Sequence, residues 1–318
     1  MKGFLRPTLH PGLQLLLLVG LMVAGLSLAS FAAVLIATQA YGIGAAELST
    51  VMAEPAAHPG VWGLLMWYQG LSLVGLGAGA AALPLLLGIS WATYFAPRRP
   101  VRLRWLLGAA GLILVVVPLM SAVVAWNAGA HFPAFLHDLE AWAKAKDDQA
   151  AVLVRYLTQF TTGARLLVGL LVVAVVPAVA EELTFRGVVQ RNLVQWLGSR
   201  HAGVWLAAAV FSAIHMQFFG FVPRFLLGLV LGYLYEWSGN IAVPMAAHFT
   251  QNALQLVLVY MAQHGLLGWG FDPDSNEALP WPWVAVSALG TAALLFVVHR
   301  LLTAGGPSKT LSSKGISV

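Results

Sequence analysis

Long apolar segments separated by short loops constrain this chain more than any other feature. A bilayer has a hydrocarbon core about 30 Å thick, which a helix of roughly 20 apolar residues can cross. Eight apolar segments stand along the sequence, at about 13–37, 61–89, 105–126, 165–181, 204–219, 225–237, 241–261 and 283–302. The fourth is expected to continue as helix toward Leu197. We therefore predict an all-α fold, a polytopic transmembrane helix bundle of about eight spans.

Composition and charge support the membrane assignment. Charged residues make up 9% and hydrophobic residues 59% of the 318 residues, whereas a soluble domain has about 25% charged residues. The net charge is +5, and its cations lie in short loops, where Lys and Arg mark the cytoplasmic face of a membrane protein. Membrane lipid is therefore the expected partner, and nucleic acid is not indicated. We expect an integral, multi-pass protein of a bacterial inner membrane with both termini in the cytoplasm.

The chain divides into three predicted regions. Residues 1–164 hold about three spans and an external polar segment, 127–162, whose apolar residues recur at helical intervals and predict an amphipathic helix on the outer membrane face. This helix would either cover a site or only shield helix ends. Residues 165–262 form a helical core that carries the candidate functional residues. Residues 263–318 hold an external loop, the last span and a cytoplasmic tail.

Two adjacent glutamates, Glu181 and Glu182, close the fourth apolar segment. Carboxylates are costly in lipid and are seldom kept there without a partner or a function. On a helix, Glu182 and Arg186 lie four residues apart on one face and can pair, while Glu181, rotated by about 100°, lacks that partner. Pro177, one turn earlier, should kink the helix and free a backbone carbonyl. One glutamate is thus expected to be structural and the other available.

Three further polar residues lie within apolar segments. At 1.5 Å of rise per residue, His215 and His248 are expected roughly 18 and 12 Å from the cytoplasmic side, and Glu181 about 24 Å from the outer end of its helix. Asn252 lies one turn after His248 on the same face. Singly, such residues are typical of structural hydrogen bonds between helices. Together, at matching depth, they favour a functional site.

Three sequence blocks carry a resemblance to a known family. In order, residues 181–186, 211–215 and 248–252 match EExxxR, FxxxH and HxxxN patterns. They resemble the CPBP intramembrane proteases, also called the Abi or type II CaaX prenyl endopeptidase family. The resemblance covers about residues 165–261, so the predicted core is CPBP-like, while the first three spans and the last carry no recognised motif. It implies an α-helical membrane endopeptidase that cleaves a membrane-anchored or lipidated peptide or protein near the cytoplasmic face.

Matching residue by residue, the resemblance also implies roles. Glu181 corresponds to the catalytic glutamate and His215 to its partner, while His248 and Asn252 correspond to the pair that faces the scissile carbonyl. Two residues are implied to support them, namely Glu182 and Arg186.

The chemistry can be argued from the residues as well. Peptide hydrolysis needs an activated water and a stabilised oxyanion. Glu181 with His215 could deprotonate the water, and His248 with Asn252 could donate to the oxyanion. We favour this mechanism without a cofactor. The alternative is zinc held by Glu181, His215 and His248 with water as fourth ligand, although the usual His-Glu-x-x-His helix is absent and Asn is a poor zinc ligand.

A second class of function remains open at the level of sequence. Intramembrane Glu and His also form proton relays, so a proton-coupled transporter, or a non-catalytic scaffold or immunity protein, could use the same polar cluster. The spacing of broken helices shows no inverted repeat, which argues against a transporter. Arg224, at the start of the sixth segment, is expected to snorkel to the interface, with a substrate carboxylate as its alternative partner.

Overall fold

The structure, a computed structural model, describes residues 8–268, 272 and 275–304. Within these ranges the secondary structure is helical and contains no strand, which confirms the predicted all-α class. The helices are α1 (Pro11–Tyr41), α2 (Ala45–Ala53), α3 (Trp62–Leu86), α4 (Trp91–Tyr94), α5 (Leu103–Ala128), α6 (His137–Leu157), α7 (Gly163–Gly169), α8 (Val176–Glu182), α9 (Arg191–Leu197), α10 (Arg200–Ala213), α11 (Phe221–Ser238), α12 (Ala242–Gln263) and α13 (Trp281–Thr303). The predicted cytoplasmic tail after Ala304 lies outside the described residues.

Six helices in the described part of the chain are long and apolar enough to cross a membrane. They are Pro11–Tyr41, Trp62–Leu86, Leu103–Ala128, Gly163–Leu197, Phe218–Ser238 and Trp281–Thr303. The fourth is continuous because two π-helical segments, Leu170–Val175 and Leu183–Gln190, join α7, α8 and α9. The remaining two predicted spans correspond to α10 and α12, so the prediction of about eight spans is compatible with the fold.

One predicted span was wrong at its C-terminal end. The segment 204–219 was expected to be helical throughout, but α10 has 14 residues and ends at Ala213. The chain then turns, with Met216 in the left-handed region at φ 53°, and α11 begins at Phe221. His215 therefore lies in a turn after the helix. The apolar composition of this stretch does not reveal the break.

Small residues allow the closest helix contacts. A Cβ atom added to Gly75 of α3 would lie 2.5 Å from the carbonyl oxygen of Gly25 in α1, so these two backbones can meet only where both residues are glycine. In the same way, a Cβ on Gly228 of α11 would lie 3.0 Å from the Cβ of Ala208 in α10. These glycines therefore serve helix packing.

Arginines gather at one end of the bundle, which we call the arginine end. The backbone N–H of Arg98 donates to the carbonyl of Gly239 at 2.7 Å, and its guanidinium lies 3.5 Å from the carboxylate of Glu236. The guanidinium of Arg191 lies over the ring of Tyr94, 4.4 Å from its centroid. The cationic loops that the sequence placed on one side thus lie together. That this end faces the cytoplasm stays a prediction.

The predicted amphipathic segment forms α6. This helix buries Ala143 and Leu157 and exposes most of its charged side chains. Its C-terminal carbonyl, that of Leu157, accepts a 2.9 Å hydrogen bond from the indole N–H of Trp62 in α3. Midway along the helix, α6 contacts the turn that follows α10. It therefore lies beside one of the segments that carry the predicted site residues.

Candidate functional site

A buried ion pair with a histidine forms the base of the site. Arg186 Nη1 donates to Glu182 Oε1 at 2.8 Å, which confirms the pairing expected one helical turn apart. The same oxygen lies 2.8 Å from Nδ1 of His248 in α12. The side chains of Glu182, Arg186 and His248 are 0%, 2% and 4% exposed. Because an ionised carboxylate only accepts hydrogen bonds, Nδ1 of His248 carries a proton directed at Glu182.

Glu181 faces the other nitrogen of the same imidazole. Its Oε2 lies 3.8 Å from Nε2 of His248, close enough for electrostatic attraction and too far for a direct hydrogen bond. The residue is 8% exposed. Glu181 and Glu182 thus contact opposite edges of one ring, because adjacent positions on the helix point about 100° apart. The structure brings Glu181 and His248 together, as their estimated depths predicted.

The ring of Phe211, the first residue of the FxxxH block, is the apolar centre of the site. It packs edge-on against the imidazoles of His215 and His248, at centroid distances of 5.2 and 6.1 Å. The guanidinium of Arg186 lies 5.0 Å from its centroid, and Phe185 packs edge-on at 5.0 Å. Phe211 is 2% exposed. This ring therefore contacts both histidines and the guanidinium of the buried ion pair.

His215 caps the C-terminus of α10. Its Nδ1 lies 2.8 Å from the carbonyl oxygen of Phe211, one of the carbonyls that a helix end leaves without a backbone donor. This spacing of four residues is what the FxxxH block encodes here. With Nδ1 as the donor, Nε2 of the neutral ring carries a lone pair and can accept a hydrogen bond. The position in a turn, rather than in a span, corrects the sequence interpretation.

Asn252 is held by the helix that carries the glutamates. Its Nδ2 donates to the carbonyl of Val173 at 3.1 Å. Pro177 lacks the N–H that would pair with this carbonyl in a regular α-helix, and the π-helical segment 170–175 widens the same turn. The predicted free carbonyl therefore exists, and Asn252 binds it. One N–H of the carboxamide is engaged in this way, and the second remains a donor.

Arg224 is partly buried and binds side chains of the protein; that it reaches the membrane interface stays a prediction. Its Nη2 hydrogen-bonds Oε1 of Gln217. Nη1 is buried and has no hydrogen-bond partner among the residues that the structure describes. The guanidinium interacts electrostatically with Glu181 and with Asp147 of α6. Sequence reasoning missed Gln217 and Asp147, because neither belongs to a motif.

The alternative zinc set does not form a metal site in this geometry. In the described ranges, no group of three or more His, Cys, Asp or Glu side chains is arranged to hold a metal ion. Nδ1 of each histidine is hydrogen-bonded, that of His248 to Glu182 and that of His215 to a backbone carbonyl, which leaves Nε2 of each ring as the possible ligand atom. The described side chains are thus not arranged as the tetrahedral set of a zinc site. The mechanism without zinc stays a prediction.

Comparison with known proteins agrees with the motifs. Residues 163–254 match the family described as Rce1-like, type II CAAX prenyl endopeptidase Rce1-like. We call residues 163–254 the Rce1-like segment. This Rce1-like segment contains the glutamates, both site histidines and Asn252, so the resemblance drawn from the three blocks is confirmed. Together with the six apolar helices, it identifies an integral, multi-pass membrane protein.

One curated relative shares part of the chain. The uncharacterized protein YpbD of Bacillus subtilis (strain 168) is 38% identical over 81 residues, which are 24% of this chain and 38% of the relative. The chain thus matches well under two thirds of that protein's length, and its name states no activity. No solved structure matches the chain significantly. The activity of the Rce1-like segment must therefore be argued from its geometry.

Proposed function

We propose that this chain is an intramembrane endopeptidase that hydrolyses a peptide bond with a water activated by Glu181. One observation carries the proposal. The carboxylate of Glu181 lies 3.8 Å from Nε2 of His248, while the other nitrogen of that ring is held by the Glu182–Arg186 pair. A carboxylate, an oriented imidazole and a buried setting are what general-base catalysis with an oxyanion donor requires. The match to an endopeptidase family supports the same reaction.

In this proposal Glu181 accepts a proton from water, and the hydroxide attacks the carbonyl carbon of the scissile bond. The carbonyl oxygen becomes an oxyanion. The C–N bond breaks when the leaving amine receives the proton that Glu181 had taken, which restores the carboxylate. His215, whose Nε2 is free to accept, would hydrogen-bond the water and orient it. No step requires a cofactor.

His248 and Asn252 are assigned to the oxyanion. Because Glu182 holds the Nδ1 proton of His248, Nε2 donates to the oxyanion when the ring is an imidazolium. The second N–H of Asn252 would be the other donor. Both interactions gain strength from the low dielectric of a buried site. Glu182 and Arg186 thereby support catalysis by orienting His248.

The substrate that we propose is a membrane-anchored or lipidated peptide. An apolar cleft of about 270 Å³ lies between α1, α10 and the helix that carries Glu181. It is lined by Val19 of α1, by Thr184 and by Ile214, which directly precedes His215. An apolar chain in this cleft would lie next to the turn that holds His215. The proposed setting is a bacterial inner membrane, with the chain termini and the arginine end facing the cytoplasm.

We expect the purified chain, reconstituted in liposomes, to cleave peptides fused to a membrane anchor and to leave the same peptides without the anchor intact. The lipid bilayer confines the anchored peptide to the same membrane as the protein, which raises the effective concentration of the peptide at the site. Mass spectrometry of the products would locate the cleaved bond. Failure to cleave any member of a broad panel of anchored and lipidated peptides would favour a transporter or a non-catalytic scaffold.

We further expect chelators to leave this cleavage unchanged. Preincubation with EDTA or 1,10-phenanthroline removes a catalytic zinc ion, whereas a mechanism that uses only Glu181, His215, His248 and Asn252 does not respond. The measurement is the initial rate before and after treatment, with a known zinc protease as the positive control. Loss of activity that added Zn²⁺ restores would contradict the metal-free mechanism and favour the zinc alternative.

A further inference from the structure

The turn between His215 and Arg224 is anchored by a side chain from a distant helix. Asp147 of α6 accepts two backbone hydrogen bonds, Oδ1 from the N–H of Phe218 at 3.1 Å and Oδ2 from the N–H of Phe219 at 2.9 Å. Both donors begin the single helical turn Phe218–Gly220. A carboxylate that accepts two backbone N–H groups forms charge-assisted bonds, which are about twice as strong as neutral ones. Asp147 therefore connects α6 to the loop of the site.

Aromatic contacts align α6 with the same two residues. Trp142, five positions before Asp147, packs edge-on against Phe218 at 5.5 Å. Phe132, which precedes α6, stacks on Phe219 at 6.3 Å. These contacts fix the position of α6 along the turn, and the two hydrogen bonds from Asp147 fix its distance.

The turn itself contains a strained residue. Met216, directly after His215, has φ 53° and is the one non-glycine residue with positive φ in the described ranges. The left-handed conformation is unfavourable for a residue with a side chain, because Cβ comes too close to the following carbonyl oxygen. Such a conformation persists only where surrounding contacts enforce it, and it is found at functional sites more often than elsewhere. The bonds from Asp147 lie two and three residues after Met216.

The far end of the turn is held by other elements. Asn127 Oδ1 accepts from the N–H of Val222 at 2.8 Å, and Ser212 Oγ donates to the carbonyl of Phe221 at 2.7 Å. Gln217, in the middle, binds Arg224. The segment from His215 to Gln217 is thus fixed from one side by the end of α10 and from the other by Asp147.

We propose that Asp147 is a positioning residue for the hydrolysis, which acts through the Met216–Phe219 turn to hold His215 at the end of α10 and Arg224 within electrostatic reach of Glu181. This inference rests on the proposed function. Without the two bonds from Asp147, Met216 relaxes to negative φ, and the ring of His215 and the guanidinium of Arg224 shift relative to Glu181. The charge of Asp147 also attracts Arg224 directly, so the carboxylate controls both ends of the segment.

The chain supplies a matched control on the same helix. Asp148 is adjacent to Asp147 and has the same charge, but its side chain is 67% exposed and forms a salt bridge with Lys144, at 3.3 Å, on the surface of α6. Asp147→Ala and Asp148→Ala remove the same groups from neighbouring positions of α6. Only the first loses contacts with the turn.

The test compares both variants with the parent in liposomes. For Asp147→Ala we expect kcat on an anchored peptide to fall roughly tenfold to a hundredfold with KM unchanged, since small misplacements of catalytic groups have effects of this size. Asp147→Asn keeps one acceptor oxygen, so its kcat should lie between those of Asp147→Ala and the parent. Amide exchange at Phe218 and Phe219 should rise in Asp147→Ala. Asp148→Ala should match the parent in kcat and in exchange.

A double substitution distinguishes a positioning role of Asp147 from a purely structural one. In a His215→Ala background, Asp147→Ala should cause a smaller further loss of kcat than it causes in the parent, because one of the two residues through which it acts is gone. An equal additional loss in that background, or equal effects of the Asp147 and Asp148 variants, would overturn the positioning role. Faster exchange with unchanged kcat would overturn it as well, while leaving the proposed function intact. A parent chain that cleaves nothing would instead reject the proposed function, and the positioning role with it.

Discussion

Replacing Glu181 with glutamine should lower the rate of peptide cleavage about a hundredfold to ten-thousandfold, the usual contribution of a general base. The substitution keeps the size of the side chain and removes its ability to accept a proton. We expect little loss of stability, because Glu181 does not share the ion pair with Arg186 and lies 3.8 Å from its nearest titratable partner, His248. The measurement is kcat in liposomes, together with the unfolding midpoint.

A control for this prediction is Glu277→Gln, in the exposed loop before α13, which should leave cleavage unchanged. Undiminished cleavage by the Glu181→Gln chain would remove this residue from the role of base. A large fall in the unfolding midpoint would mean that Glu181 stabilises the fold, and the loss of rate could then not be assigned to chemistry.

Replacing the neighbouring Glu182 with glutamine should have a different effect, the loss of both stability and cleavage. Glu182 Oε1 accepts from Arg186 and His248, each at 2.8 Å, in a fully buried position. Removing one partner of a buried ion pair leaves an uncompensated charge, which destabilises a protein by about 3–5 kcal/mol. The amide oxygen of glutamine is an uncharged and therefore weaker acceptor for the Nδ1 proton of His248, so the oxyanion donor is less firmly oriented.

A second substitution separates the two losses. Arg186→Met added to Glu182→Gln removes the unpaired guanidinium and should recover part of the stability, because apolar replacements of buried ion pairs are often well tolerated. Cleavage should not recover, since His248 still lacks its carboxylate partner. Unfolding in detergent micelles measures the stability, and the liposome assay measures the rate. A Glu182→Gln chain as stable as the parent would contradict this view of the pair.

The contrast between these adjacent glutamates was readable from the sequence. The period of an α-helix places Glu182 and Arg186 on one face and turns Glu181 away from it, and the structure has this arrangement. The proximity of Glu181 and His248 was also predicted from the helical rise per residue, because both residues were estimated to lie in the cytoplasmic half of the bilayer. Both inferences depend only on regular helix geometry, which a membrane-spanning segment adopts because lipid offers its backbone no hydrogen-bond partners.

Other contacts had no local signal. His248 lies between both glutamates, Asn252 binds Val173, and Asp147 binds the turn after His215. Each joins residues that are far apart in sequence, and each depends on how the helices rotate and cross. Hydropathy does not reveal which face of a membrane helix contacts the protein, because an apolar side chain is equally stable against lipid and against another helix.

The amino-acid sequence by itself therefore determined the membrane class, most of the helical segments and the Glu182–Arg186 pair. These follow from apolar length and from the helical period. Only the tertiary structure decided that α10 stops at Ala213, that His215 caps it and that α6 holds the following turn. The physical reason is that helix ends and turns are set by side chains from other elements, which satisfy backbone groups that the local sequence leaves open.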